Sequence, residues 1–202
     1  MTDSSRSITE AFRQLRRFCE DSANLLATAE SLFENDKDIA LGNNWQTAMK
    51  DSACWGLGAS KSLKHPKRWI PLNFFRFFRH PTHKNLLVYV SCQVDTINES
   101  RLHHALITAG GLVYPQDTHA PTIDSKRYWF SMLHIRRLDR VDDGTVVHAS
   151  CPFTGWWKQP EQVEQIITLA RPLDEVCNTE QLKNQVIMPL VQALQKAIDV
   201  SS

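Results

Sequence analysis

The chain has 202 residues, 42% of them apolar and 22% charged, with a formal net charge of +1. That length suits one domain with a substantial core, and the composition excludes disorder as the dominant state. A near-neutral whole argues against sequence-independent adhesion of the entire surface to nucleic acid or anionic lipid, and no apolar run approaches the roughly 18 residues a bilayer span needs.

The charge is unevenly divided. Residues 1–51 carry −3, residues 52–94 carry +7, residues 95–156 carry −1 and residues 157–202 carry −2. The second window, Ser52 to Val94, has no Asp or Glu. It interleaves Lys61, Lys64, Lys67, Arg68, Arg76, Arg79 and Lys84 with Trp69, Phe74, Phe75, Phe77 and Phe78. Cys19, Cys54, Cys92, Cys151 and Cys177 are odd in number, widely spaced and never C-x-x-C. They fit neither a disulfide framework nor a zinc ribbon and read as buried free thiols. Met1 to Ser7 holds no apolar targeting segment, so the expected compartment is a reducing, cytoplasmic one.

In chain order, residues 1–6 read as frayed or disordered. Ser7 and Glu10 form an S-x-x-E capping box. Ile8, Phe12, Leu15, Cys19, Leu25, Leu26, Ala29, Leu32 and Phe33 then recur at helical spacing, predicting a helix of about 40 Å ending near Asn35. Sustained heptads are judged absent, so the helix reads as a core element rather than a coiled-coil strand. Gly42-Asn43-Asn44 marks a loop, Trp45 to Lys50 is ambiguous, and Ser52 to Gly58 is a short apolar run suited to a first strand.

For Pro71 to His80, a helical wheel separates four phenylalanines from Asn73, Arg76, Arg79 and His80. The strand alternative mixes arginine with phenylalanine on both faces. The wheel therefore predicts a two-turn helix with Arg76 and Arg79 outward.

Leu86 to Val94 is the clearest strand, apolar on both faces at its start and so expected to be central. Ala105 to Tyr114 reads as two short extended pieces joined by a turn or bulge at Gly110-Gly111. Pro115 to Asp124 is a loop. Asp143-Gly144 suits a type I′ turn, predicting a hairpin between Arg127–Leu138 and Gly144–Ser150 in which His134 and His148 face opposite sides. Cys151 to Pro160, with Trp156 and Trp157, is a loop or edge, and Glu164 to Ala170 a final strand. Asn178 with Gln181 resembles a helix cap. Leu182, Val186, Leu190, Leu194 and Ile198 define one face of a C-terminal helix kinked by Pro189. The sum is a single α+β domain over residues 1–202, with a mostly antiparallel sheet flanked by the two terminal helices.

Each candidate chemistry has its own obstacle. A zinc site would have to draw His80, His83, His103 and His104 together by tertiary accident. Cys151 with His148 lacks any nucleophile signature. Asp95, Asp124 and Lys126 form an acid followed by D-x-K, which loosely resembles the PD-(D/E)xK nucleases in residue type alone and implies a metal-dependent hydrolase. No phosphate-cradling or nucleophile-elbow motif is present, and nothing calls for a cofactor.

The leading expectation is a non-catalytic binding or adaptor module for a protein or nucleic-acid partner. Its surface combines Lys61, Lys64, Lys67, Arg68 and Trp69 with Arg76, Arg79, Trp156 and Trp157. The competing account of those cations is a solvated rim answered by acids of the N-terminal helix. A third possibility is small-ligand binding between sheet and helix, which a large apolar pocket there would favour.

Overall fold

In a computed structural model of the chain, residues 3–48, 55–57, 73–93, 105–120, 143–150 and 163–201 are described. Helix α1 (Asp3–Asn35) opens the fold. It starts earlier than the capping box implies, so Ser7 and Glu10 lie inside it. Its C-terminal half buries Ser22, Leu26, Ala29, Leu32 and Phe33.

A seven-stranded sheet follows, in the order β1-β3-β4-β5-β7-β6, with β2 also paired to β3 and every pairing antiparallel. The strands are β1 (Gln46–Thr47), β2 (Trp55–Leu57), β3 (Asn73–Arg79), β4 (Leu86–Gln93), β5 (Leu106–Val113), β6 (Val147–Ser150) and β7 (Gln165–Pro172). Strands β1 and β2 share one edge of β3. Thr47 is opposite Phe78 and Trp55 opposite Phe75, so the edge chain advances eight residues while β3 advances three. The edge is thus one strand position occupied by two short pieces out of register with each other.

Alternation splits the sheet into two buried faces. Phe78, Leu86, Val88, Val90, Cys92, Ile107, Ala109, Ile167 and Leu169 pack with α1 and the C-terminal helix. Phe75, Phe77, Leu87, Tyr89, Leu112, Tyr114 and Ile166 form a second cluster on the reverse face. All eight residues of β4, and all eight of β5, are buried, as the doubly apolar start of the β4 segment predicts.

Two expectations are corrected here. Pro71 to His80 does not give a helix, since residues 73–79 are the strand β3. The wheel argument assumed one wet face, whereas this strand has cover on both sides, and Arg76 is answered by Glu30 of α1. Gly110-Gly111 is neither turn nor bulge but lies within the continuous ladder of β5. A Cβ on Gly110 would run into the Tyr89 ring on one face, and one on Gly111 into the Leu194 side chain on the other. Both glycines are there for close approach rather than for chain reversal.

Gly144 does take positive φ, at +83°, and Thr145 N–H donates to Asp143 Oδ1 at 2.8 Å. Strand β6 pairs with β7, while Arg127–Leu138 lies outside the described residues.

After a 3-10 turn (Leu173–Glu175) come α2 (Thr179–Leu182), a π turn (Lys183–Ile187) and α3 (Met188–Ser201). The cap reads as the sequence suggested. Asn178 Oδ1 accepts from Gln181 N–H at 2.9 Å, and Gln181 Oε1 accepts from Cys177 N–H at 2.8 Å. The helix continues through Pro189, and the irregularity is the π turn just before it. Widening there accommodates a ring that would clash with the carbonyl four residues back. No helix among the described residues is long and apolar enough to cross a membrane.

Candidate functional site

Two adjoining features at the start of α1 stand out. The first is the helix itself. It extends beyond the sheet, leaving Ile8 59% and Phe12 65% exposed, with Leu15, Phe18 and Cys19 half-buried. Ile8, Phe12, Leu15, Cys19, Ser22, Leu26, Ala29 and Phe33 alternate spacings of four and three residues. The judgement that heptads are absent is therefore corrected. The polar Ser22 and the off-seam Phe18, Leu25 and Leu32 obscure a repeat that runs the length of the helix.

The second feature is a groove of about 760 Å³ between α1 and the segment that joins β7 to α2. Phe18, Leu25, Leu173, Val176 and Leu182 make its lining largely apolar, and among the described residues its charged lining is Asp21 and Asp174. Ser22 is 2% exposed and its hydroxyl has no hydrogen-bond partner among the described residues. Cys177 Sγ donates to Asp174 O at 2.9 Å on the opposite wall. A volume in this range is typical of ligand sites. Its walls are a helix and a turn rather than the helix and sheet expected from the sequence.

Arg76, expected outward, instead faces α1 and forms an ion pair with Glu30, the two side chains being 14% and 25% exposed. Thr47 Oγ1 donates to the other oxygen of the same carboxylate at 2.8 Å, so one acid of α1 joins β1 to β3. Burial pushes the Arg76 guanidinium below its ordinary value. This is charge compensation by the N-terminal helix at Arg76. Arg79 is half-buried at the end of β3. Lys61, Lys64, Lys67, Arg68, Trp69, Trp156 and Trp157 lie outside the described residues, as do Asp95, Asp124, Lys126, Cys151, His103 and His104.

His80 and His83 approach to a ring separation of 4.8 Å, yet His80 is occupied. Its Nδ1 accepts from Thr82 N–H at 3.2 Å and His83 N–H at 3.1 Å, so Nδ1 carries no proton. Nε2–H therefore donates to Leu41 O at 2.7 Å. The ring caps the β3–β4 turn, and Trp45 stacks edge-on against it at 4.8 Å. Burial, the largest influence, pushes the imidazole below its ordinary value. Exposed His148 takes a hydrogen bond from Gln165 Nε2 at 3.0 Å. Of the thiols described, Cys92 is buried as expected, but Cys19 is half-buried and Cys177 exposed.

On the reverse face, Thr168 Oγ1–H donates to Ala109 O at 3.0 Å, which leaves Tyr89 O–H to donate to Thr168 Oγ1 at 3.0 Å. Burial pushes the Tyr89 phenol up to about 12. The Tyr89–Thr168 pair was not anticipated from sequence, and the groove was anticipated in kind but not in place. Comparison with protein-family models, curated proteins and solved structures yields no match.

Proposed function

We propose that the chain is a non-catalytic binding or adaptor module that engages a protein partner through the exposed start of α1 and the groove beside it. The observation that carries this reading is Phe12. A phenylalanine 65% exposed on the same seam that buries Leu26 and Phe33 is a docking element rather than stray surface. The basic and aromatic set from Lys61 to Trp69 belongs to the proposal as a second contact region, on sequence grounds.

The test is site-specific photo-crosslinking in cell extract, with benzoylphenylalanine at position 12 and, on the far side of the helix, at position 17. Support is a discrete adduct from position 12 that position 17 does not give. Equal labelling at both, or none at either, refutes the reading. Phe12→Ser, at a position 65% exposed in the single copy, should leave the circular dichroism spectrum of the folded chain unchanged.

A further inference from the structure

The seam that seats α1 on the sheet does not stop where the sheet stops. From Ser22 onward its members are buried under α1, while Ile8 and Phe12 are exposed and Leu15 and Cys19 are half-covered. A four-and-three repeat keeps one apolar stripe along a helix, which seats on a sheet where one is present and on a second helix where none is. From Ile8 to Cys19 this seam continues for about 16 Å.

We propose that a second copy of this chain covers it, the two α1 overhangs packing antiparallel about a two-fold axis between Arg13 and Gln14. This rests on the reading of the α1 start as a docking surface. The axis stacks Phe12 on the second copy's Leu15 and Ile8 on its Cys19, and symmetry repeats both layers. On one flank Ala11 meets Phe18, small against large, and on the other Thr9 meets Arg16. At about 100° per residue, Glu10, Arg13, Arg17 and Glu20 fall on the far side of each helix, so the seam buries no like charges.

Two further features fit the same arrangement. Each overhang lies in the layer of the other copy's sheet, so the interface continues the one α1 already makes within its own chain. In that register the positive N-terminal end of each helix falls beside residues 22–24 of the other copy, next to the groove whose charged lining among the described residues is Asp21 and Asp174.

The test uses the full chain, purified, by light scattering and sedimentation at about 100 μM, since dimer population depends on concentration. The expected mass is that of two copies, and Phe12→Asp, at a position exposed in the single copy, should halve it without changing the circular dichroism spectrum. Ile8→Cys should form an intermolecular disulfide with Cys19 on mild oxidation, and Arg17→Cys should not. A monomeric chain, or a mass indifferent to Phe12→Asp, overturns the proposal. A dimer in which Ile8→Cys does not couple to Cys19 overturns the antiparallel register and the pairing argued from it. If the purified chain is monomeric while position 12 crosslinks a different protein in extract, self-pairing falls and the docking surface stands. No adduct and no dimer would remove both.

Discussion

Tyr89 lies directly across the ladder from Gly110, and its ring occupies the space a Cβ at that position would need. The same tyrosine ends in a hydrogen bond to Thr168, so the ring spans from β4 over β5 to β7. Gly110→Ala should therefore destabilise by about 2 kcal/mol, in the range for overpacking a filled core. In Tyr89→Leu the ring is gone, and the added methyl should cost much less. Denaturant titration of the double-mutant cycle measures the coupling. Additive effects would mean that the ring and the glycine do not depend on each other.

A second prediction concerns the carboxylate shared by Arg76 and Thr47. Glu30→Gln keeps the shape but removes the charge beneath a half-buried guanidinium. It should cost about 1 to 2 kcal/mol, more than an exposed ion pair is worth. Arg76→Gln in the same background should cost less than it does alone. Raised salt should scarcely change the coupling, because the pair is mostly shielded from solvent.

His80 gives the fold a pH dependence whose sign follows from its burial, which outweighs the hydrogen bond to Leu41 O. Its pKa is lower in the folded chain than the ordinary 6.5, so between the two values the unfolded chain binds more protons. Stability is therefore fully present above pH 6.5 and is lost as the pH falls through the folded value, by at most about 1.4 kcal/mol per pH unit. His80→Asn retains a side-chain acceptor for the turn N–H groups and cannot titrate. Thermal melts across pH 4 to 8 should show this acid slope in the natural chain and its loss in the variant; an unchanged slope assigns it to other groups.

Asn178 offers a test free of charge and core packing. Its side chain satisfies the Gln181 N–H at the start of the C-terminal helix, and Asn178→Ala should cost about 1 kcal/mol. Asn178→Asp should retain most of that stability, since a carboxylate accepts the same bond and favours the positive end of the helix. Chemical denaturation of the three chains gives the ranking directly.

The elements that were legible in the sequence had signals that required no knowledge of their neighbours. Strand β4 announced itself by an unbroken apolar run, and the Asn178–Gln181 cap by two side chains three residues apart. Strand β3 was misread because the preference for its helical form rested on Arg76 needing water, and its actual partner, Glu30, lies 46 residues earlier in the chain. Gly110 and Gly111 were misread likewise. What requires them is Tyr89 on one side and Leu194 on the other, and neither is visible from the dipeptide. The α1 seam was present in the residue spacings throughout. It was missed because one serine interrupts it and because off-seam leucines broaden the buried face. The groove had no local signature, since its two walls come from residues some 150 positions apart.

The paired short strands β1 and β2 have a further effect on how this chain behaves when crowded with copies of itself. A long, regular outer strand is a template on which another chain can add by hydrogen bonding, the first step toward aggregation. Here the outer row alongside β3 is two pieces offset by five residues, so an incoming strand in register with one is out of register with the other. That edge is a poor template. Whatever association the molecule favours is thereby directed away from it and toward side-chain surfaces, which can be closed and finite.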